Sequence, residues 1–114
     1  MVSERSDTFI VEDRLLTDVG GQLKAPVLST PAMIAMMERS AALLAAEHLA
    51  DGRATVGFEV CVKHVAPAID GARCTVHARL VDIVDGRKLR FDVEVREGDR
   101  TIGIGTHERR VVSR

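Results

Sequence analysis

The chain has no tryptophan, no tyrosine and only three phenylalanines among its 114 residues. Any core must therefore be aliphatic, with methionine filling the gaps. Its two cysteines, Cys61 and Cys74, are too few for a disulfide framework. With the four histidines they show no zinc-like spacing, so no metal is expected. Glu38 and Arg39 interrupt the one long apolar run, which excludes a membrane-spanning helix. The opening MVSERSDTF lacks the basic-then-apolar pattern of a signal peptide, and a cytoplasmic protein is expected. A net charge of −1 gives no bulk attraction for nucleic acid or a membrane surface. Repeats, low-complexity tracts and linkers are also missing, which points to a single domain over residues 1–114.

What is present begins with STPAMIAMMERSAALLAAEHLADG, residues 29–52. Ser29 or Thr30 suits an N-cap, Pro31 the first helical position and Gly52 a left-handed stop. Between them lie mostly Ala, Met, Leu and Ile, so the helix is expected to be buried on most of its surface. The 3.6 period places Ile34, Glu38, Ala41, Ala45 and Leu49 along one side. Glu38 thus points into an apolar stripe. A carboxylate there needs a partner or a tuned pKa, as either a structural ion pair or a catalytic group. Met33, Met36 and Met37 are core, or the lining of an adaptable apolar pocket.

Around this helix the chain reads as strands. TFIVEDR at 8–14 is a candidate first strand, followed by the loop LLTDVGGQLKAPVLS. In ATVGFEVCVKHV, 54–65, Val56, Phe58, Val60, Val62 and His64 share one face. In RCTVHARLVDIV, 73–84, Cys74, Val76, Ala78 and Leu80 alternate with polar residues. Asp85-Gly86 makes a hairpin turn into KLRFDVEVR, with Leu89, Phe91, Val93 and Val95 in phase. The last strand, TIGIGTHERRVV, sets Ile102 and Ile104 against Gly103, Gly105 and His107; those glycines read as a bulge or close packing. His77 and His107 fall on polar faces and are assigned no chemistry. The fold class is α+β, a five-stranded antiparallel sheet wrapped around one long central helix. Opposite parity argues against a Cys61–Cys74 bond.

This architecture turns His64 toward the helix, while Thr30 adds a hydroxyl at the helix N-terminus, where free N–H groups favour negative charge. A carboxylate, an imidazole and such a hydroxyl are suitable parts for acyl transfer or hydrolysis. Glu38 could serve as general base or as attacking group, and Thr30 as nucleophile or orienting hydroxyl.

VLSTPAMIAMMERSA, TVGFEVCVKHVAP and IGIGTHERRVV, taken in order, resemble the hot-dog-fold thioesterases of the fluoroacetyl-CoA thioesterase type. The resemblance runs from about Thr8 to Val112. It implies a hot-dog fold, catalytic Thr30, Glu38 and His64, and a Gly57 whose backbone lies at the substrate thioester. The arginine of the closing motif falls on Arg109, as a substrate-binding residue; Arg109 or Arg110 could meet coenzyme A phosphates. It further implies a homodimer, or a dimer of such dimers, with sheets joined edge to edge and the active site at the interface. The substrate would be a small or medium acyl-CoA, with no cofactor beyond the CoA of the substrate. The family's lid phenylalanines before the helix have no counterpart in LLTDVGGQLKAPVLS, which points away from fluoroacetyl-CoA. A non-catalytic acyl-CoA-binding module and an enoyl-CoA hydratase or dehydratase on the same fold are the alternatives.

Overall fold

Ser29 caps the helix, its side-chain oxygen accepting the Ala32 N–H at 3.1 Å, and Pro31 sits in the first turn, where its missing donor costs nothing. In the computed structural model, which describes residues 3–114, helix α1 spans Thr30–Ala46. It ends earlier than its composition suggests. Glu47 closes it with a bifurcated bond to the Ala45 and Leu44 carbonyls, and Gly52, at φ +79°, serves the turn into the next strand instead. The buried stripe is Met33, Met37, Ser40, Ala41, Leu44 and Ala45. Glu38 lies at the margin of this stripe rather than within it, with 41% of its side chain exposed.

The strands are β1 (Ser3–Ile10), β2 (Leu16–Thr17), β3 (Val27–Leu28), β4 (Arg53–His64), β5 (Arg73–Val84), β6 (Lys88–Glu97) and β7 (Arg100–Ser113). β1, β5, β6, β7 and β4, in that order, form the expected five-stranded antiparallel sheet. β2 and β3 pair at the two ends of the loop that precedes α1. α1 packs across one face of the large sheet, burying Phe91, Leu89, Val93, Val95, Val76 and Cys74 with its own stripe. Each large aliphatic side chain so covered contributes about 1.5–3 kcal/mol. Cys61 is exposed and Cys74 buried, and both are free thiols.

Three further expectations need correction. The first strand runs over residues 3–10, not 8–14, because SERSD joins the edge of β5 through its backbone and shows no apolar alternation. The chain then turns at Asp13, which has φ +49°. On β4, Val56 and Phe58 are exposed and do not share the face of Val60, Val62 and His64. Gly57 pairs with Arg109 and Glu59 with Glu108, so Phe58 is an extra residue that reverses the parity of everything before it. On β7, Gly103, Gly105 and His107 pair with inward-facing residues of β4 and β6, and Ile104 is the exposed one. Ile102 still reaches the core because a register shift there leaves it unpaired.

The inward glycines are required by proximity. A Cβ on Gly103 would overlap the Met33 thioether and stand 3.3 Å from the Met37 methyl. A Cβ on Gly105 would overlap the Cys61 carbonyl and lie 2.6 Å from the Val62 Cα, backbone atoms with no rotamer to yield. Gly105→Ala should therefore destabilise the protein by about 2–3 kcal/mol, read as a lower urea midpoint. Gly103→Ala should lose less, since a methionine end can move.

Candidate active site

Two groups of functional side chains form, one at each end of the inner face of β4. At the first, Thr30 opens α1 and His64 closes β4, and Thr30 Oγ1 lies 2.8 Å from His64 Nδ1. Burial holds the His64 pKa below its ordinary value; the nearby Ala66 carbonyl favours the charged form but closes no hydrogen bond. The ring is therefore neutral near pH 7. Its other nitrogen, Nε2, is buried and has no hydrogen-bond partner among the described residues. Pro31 has no N–H and the Ala32 N–H is taken by Ser29, so the N–H that the helix start leaves free beside this pair is that of Thr30 itself. An open cavity of about 320 Å³ adjoins the pair, lined by Val19, Val27, Leu28, Val65, Ala66 and Pro67 among others.

Glu38 stands eight residues along α1 from Thr30, roughly 12 Å, and belongs to the second group. Its Oε2 is 4.0 Å from Arg109 Nη1, and a Cβ on Gly57 would come within 2.8 Å of it. Gly57 is thus the floor under this carboxylate. Arg109 is buried at 8% exposure. Its Nε donates to Thr55 Oγ1 at 2.8 Å and its Nη2 to the Thr55 carbonyl at 3.0 Å. Its Nη1 reaches His107 Nε2 at 3.2 Å. Burial lowers its pKa and Glu38 opposes that shift; the guanidinium remains charged. With these donors turned inward, Arg109 is placed to hold Glu38. Arg110 lies on the opposite face, where it covers the Phe58 ring at 3.6 Å and pairs with Glu108.

His107 is the residue that sequence reasoning missed. It is buried at 3% exposure, and its Nδ1 lies 2.8 Å from the Glu59 carbonyl. The visible signal was its phase with Gly103, Gly105 and Arg109, but the glycines looked like the solvent side. The expected catalytic residues are thus only partly united: Thr30 with His64, and Glu38 with Gly57 and Arg109. No group of three or more His, Cys, Asp or Glu side chains among the described residues is placed to hold a metal ion. No helix there is long and apolar enough to cross a membrane.

The single helix laid across a five-stranded antiparallel sheet, with functional groups along an edge strand, defines a hot-dog protein. A hot-dog-like protein from Thermanaerovibrio acidaminovorans superimposes with a TM-score of 0.83 over 97% of this chain and 82% of its own, at 24% identity, which speaks to fold alone. Residues 11–114 match the family described as fluoroacetyl-CoA-specific thioesterase, and the chain belongs to that family. The fluoroacetyl-CoA thioesterase of Streptantibioticus cattleyicolor is 37% identical over 86 residues, covering 75% of this chain but only 61% of the relative. A variant of the fluoroacetyl-CoA-specific thioesterase solved with fluoroacetate and CoA is 29% identical, with a TM-score of 0.85 over 96% of this chain and 92% of that one.

His64 and His107 both have pKa values depressed by burial from 6.5. Between the depressed folded value and 6.5 the unfolded chain binds more protons, so stability rises with pH through that window and is lost as pH falls through it. Urea unfolding followed from pH 7.5 to 5 should show the midpoint falling below about 6.5, and His64→Gln should flatten part of that slope.

Proposed function

We propose that this protein hydrolyses a small or medium acyl-CoA thioester as a homodimer, with each active site shared between two chains. The observation that carries the reading is the buried, unpaired Nε2 of His64. An imidazole that takes the Thr30 proton on Nδ1 needs an acceptor on its far side to orient it and to stabilise the imidazolium. Among the described residues its own chain closes no hydrogen bond there, the Ala66 carbonyl only lying nearby, and Glu38 belongs to the other cluster.

β4 supplies the geometry. It is an edge strand of 12 residues with one side of its backbone unpaired and with Val56, Phe58 and Val60 exposed; such an edge invites a second strand. Antiparallel pairing with a second copy must match inward residues to inward residues. A two-fold axis at Cys61 does so, setting Val62 against the partner's Val60. Because Phe58 is bulged out, the same register sets His64 opposite the partner's Gly57. The partner's Glu38 then stands over that glycine, where its carboxylate accepts from His64 Nε2 once a turn of the imidazole brings that buried nitrogen to the strand edge.

In this site Thr30 Oγ attacks the thioester carbonyl while its proton passes to His64. The oxyanion forms beside the free Thr30 N–H at the positive end of α1, an arrangement worth about 3–4 kcal/mol per well-placed donor. The C–S bond breaks, and His64 returns the proton to the departing CoA thiolate. Water, deprotonated by His64, then attacks the acyl carbon; the bond to Thr30 Oγ breaks, the acid leaves, and His64 returns the proton to Thr30. The aliphatic cavity of about 320 Å³ receives the acyl chain. No aromatic side chain stands in the 15–29 segment, which favours substrates other than fluoroacetyl-CoA.

Thiol release from a panel of short, branched and medium acyl-CoAs should be robust for wild type. It should fall at least ~100-fold for Thr30→Val and for Glu38→Gln. Co-expression of the two variants tests the shared site, since a mixed dimer carries one intact set. Random pairing should restore roughly a quarter of wild-type activity. No recovery would place the whole site in one chain, and thiol release unaffected by either substitution would overturn the mechanism.

A further inference from the structure

His107 takes no part in the chemistry just described, yet it is a buried histidine with both ring nitrogens engaged. A carbonyl only accepts, so the Nδ1 that faces the Glu59 carbonyl at 2.8 Å carries the proton. Nε2 is then a bare lone pair, and Arg109 Nη1 donates to it at 3.2 Å. The tautomer is fixed by its surroundings. Phe91 lies alongside the ring at a centroid distance of 6.1 Å, the two planes 28° apart.

From this arrangement we infer that His107 is the positioning residue of the acid site: a neutral acceptor that pins the Arg109 guanidinium so that Nη1 faces Glu38. The inference rests on Glu38 being the working carboxylate. Thr55 holds Arg109 from one side through Nε and Nη2. Because the guanidinium is planar and rigid, those bonds set where Nη1 points, but they grip one edge only and leave the plane free to tilt about it. His107 holds the opposite end against that tilt, and Gly57 leaves the room for the carboxylate to approach.

The groups that face His107 are Arg109 from β7, Glu38 from α1 and the Glu59 carbonyl from β4, with the Phe91 ring from β6. Protonation would place an N–H on Nε2 against a guanidinium, turning an attraction into a repulsion. Burial and Arg109 both hold the ring below its ordinary pKa, with the Glu59 carbonyl and Glu38 opposing them. The clamp is closed when His107 is neutral and opens as pH falls.

Two substitutions separate positioning from bulk. His107→Phe keeps the ring against Phe91 and removes the acceptor. His107→Gln keeps a carbonyl oxygen for Arg109 and removes the titration. With the shared-site thioesterase active, His107→Phe should lower kcat roughly 10- to 100-fold with KM changed little, as expected for a displaced catalytic group. His107→Gln should recover most of that loss and shift the acid limb of the kcat profile downward. Wild-type kcat in His107→Phe would overturn the inference.

The second readout needs no substrate. In 15N spectra of the free protein His107 should be the Nδ1–H tautomer, titrating below 6.5, and the Arg109 Nη1 protons should show a slowed rotation about Cζ–Nη1 that His107→Phe speeds up, while Nη2 stays held by Thr55. An Nε2–H tautomer, or Arg109 signals indifferent to the substitution, would sink the clamp. If wild type releases no thiol from any acyl-CoA, the hydrolase reading fails by itself, and these spectra still decide whether His107 holds Arg109.

Discussion

One extra residue in an edge strand sets the phase of everything at this site. Phe58 is bulged from β4, and the bulge lets Gly57 and His64, seven positions apart, face the same side of the sheet. Without it, strict alternation would turn Gly57 outward whenever His64 faced in. Glu38 would then have a side chain beneath it instead of open floor. The displaced ring does not go to waste on the outer face, where Arg110 stacks on it and links onward through Glu108 to Arg90. Arg109 and Arg110 are neighbours in sequence with opposite destinies, one buried beside a carboxylate and one on the far face.

The second constraint is the approach of α1 to β7. Gly103 admits the Met33 and Met37 side chains, and Gly105 admits the backbone of β4. These contacts hold the helix close to the strands that carry His64 and Arg109. Position along the helix then converts directly into position along the site: Thr30 meets the end of β4, and Glu38 meets its beginning. The sheet serves as the rigid part, since β5, β6 and β7 pair along nearly their whole lengths.

Much of this was legible in the sequence. β5 and β6 announced themselves because their inward residues are apolar at every second position, and the structure buries Cys74, Val76, Ala78, Leu89, Phe91, Val93 and Val95 as that pattern requires. The capped start of α1 was equally plain. β1 was hidden because its edge pairing is carried by backbone bonds that leave no mark on SERSD. β7 misled for a deeper reason. Periodicity reads large apolar residues as the core side, but where a helix presses closest the core-facing residue is the smallest one available. Gly103 and Gly105 were therefore placed outside, and His107 with them. No pattern of side chains discloses a bulge of one residue, so the reversal at Phe58 could only be seen in the pairing.

The two clusters also differ in what solvent does to them. Arg109 and His107 are sealed within the chain, and their mutual orientation is complete before any partner or substrate arrives. Glu38 keeps 41% of its side chain in water, and His64 keeps a buried nitrogen without a partner among the described residues. A carboxylate in water is comfortable but electrostatically weak, and a buried N–H without an acceptor is unfavourable. On the shared-site reading one event relieves both conditions. Edge pairing removes water from Glu38 while His64 gains the acceptor it lacks, so the desolvation of one group is offset by the hydrogen bond of the other. The isolated chain then holds the parts of a catalyst at low cost to its own folding. On that same reading, the strong, water-excluded interactions on which acyl transfer depends arise only when two copies meet along β4.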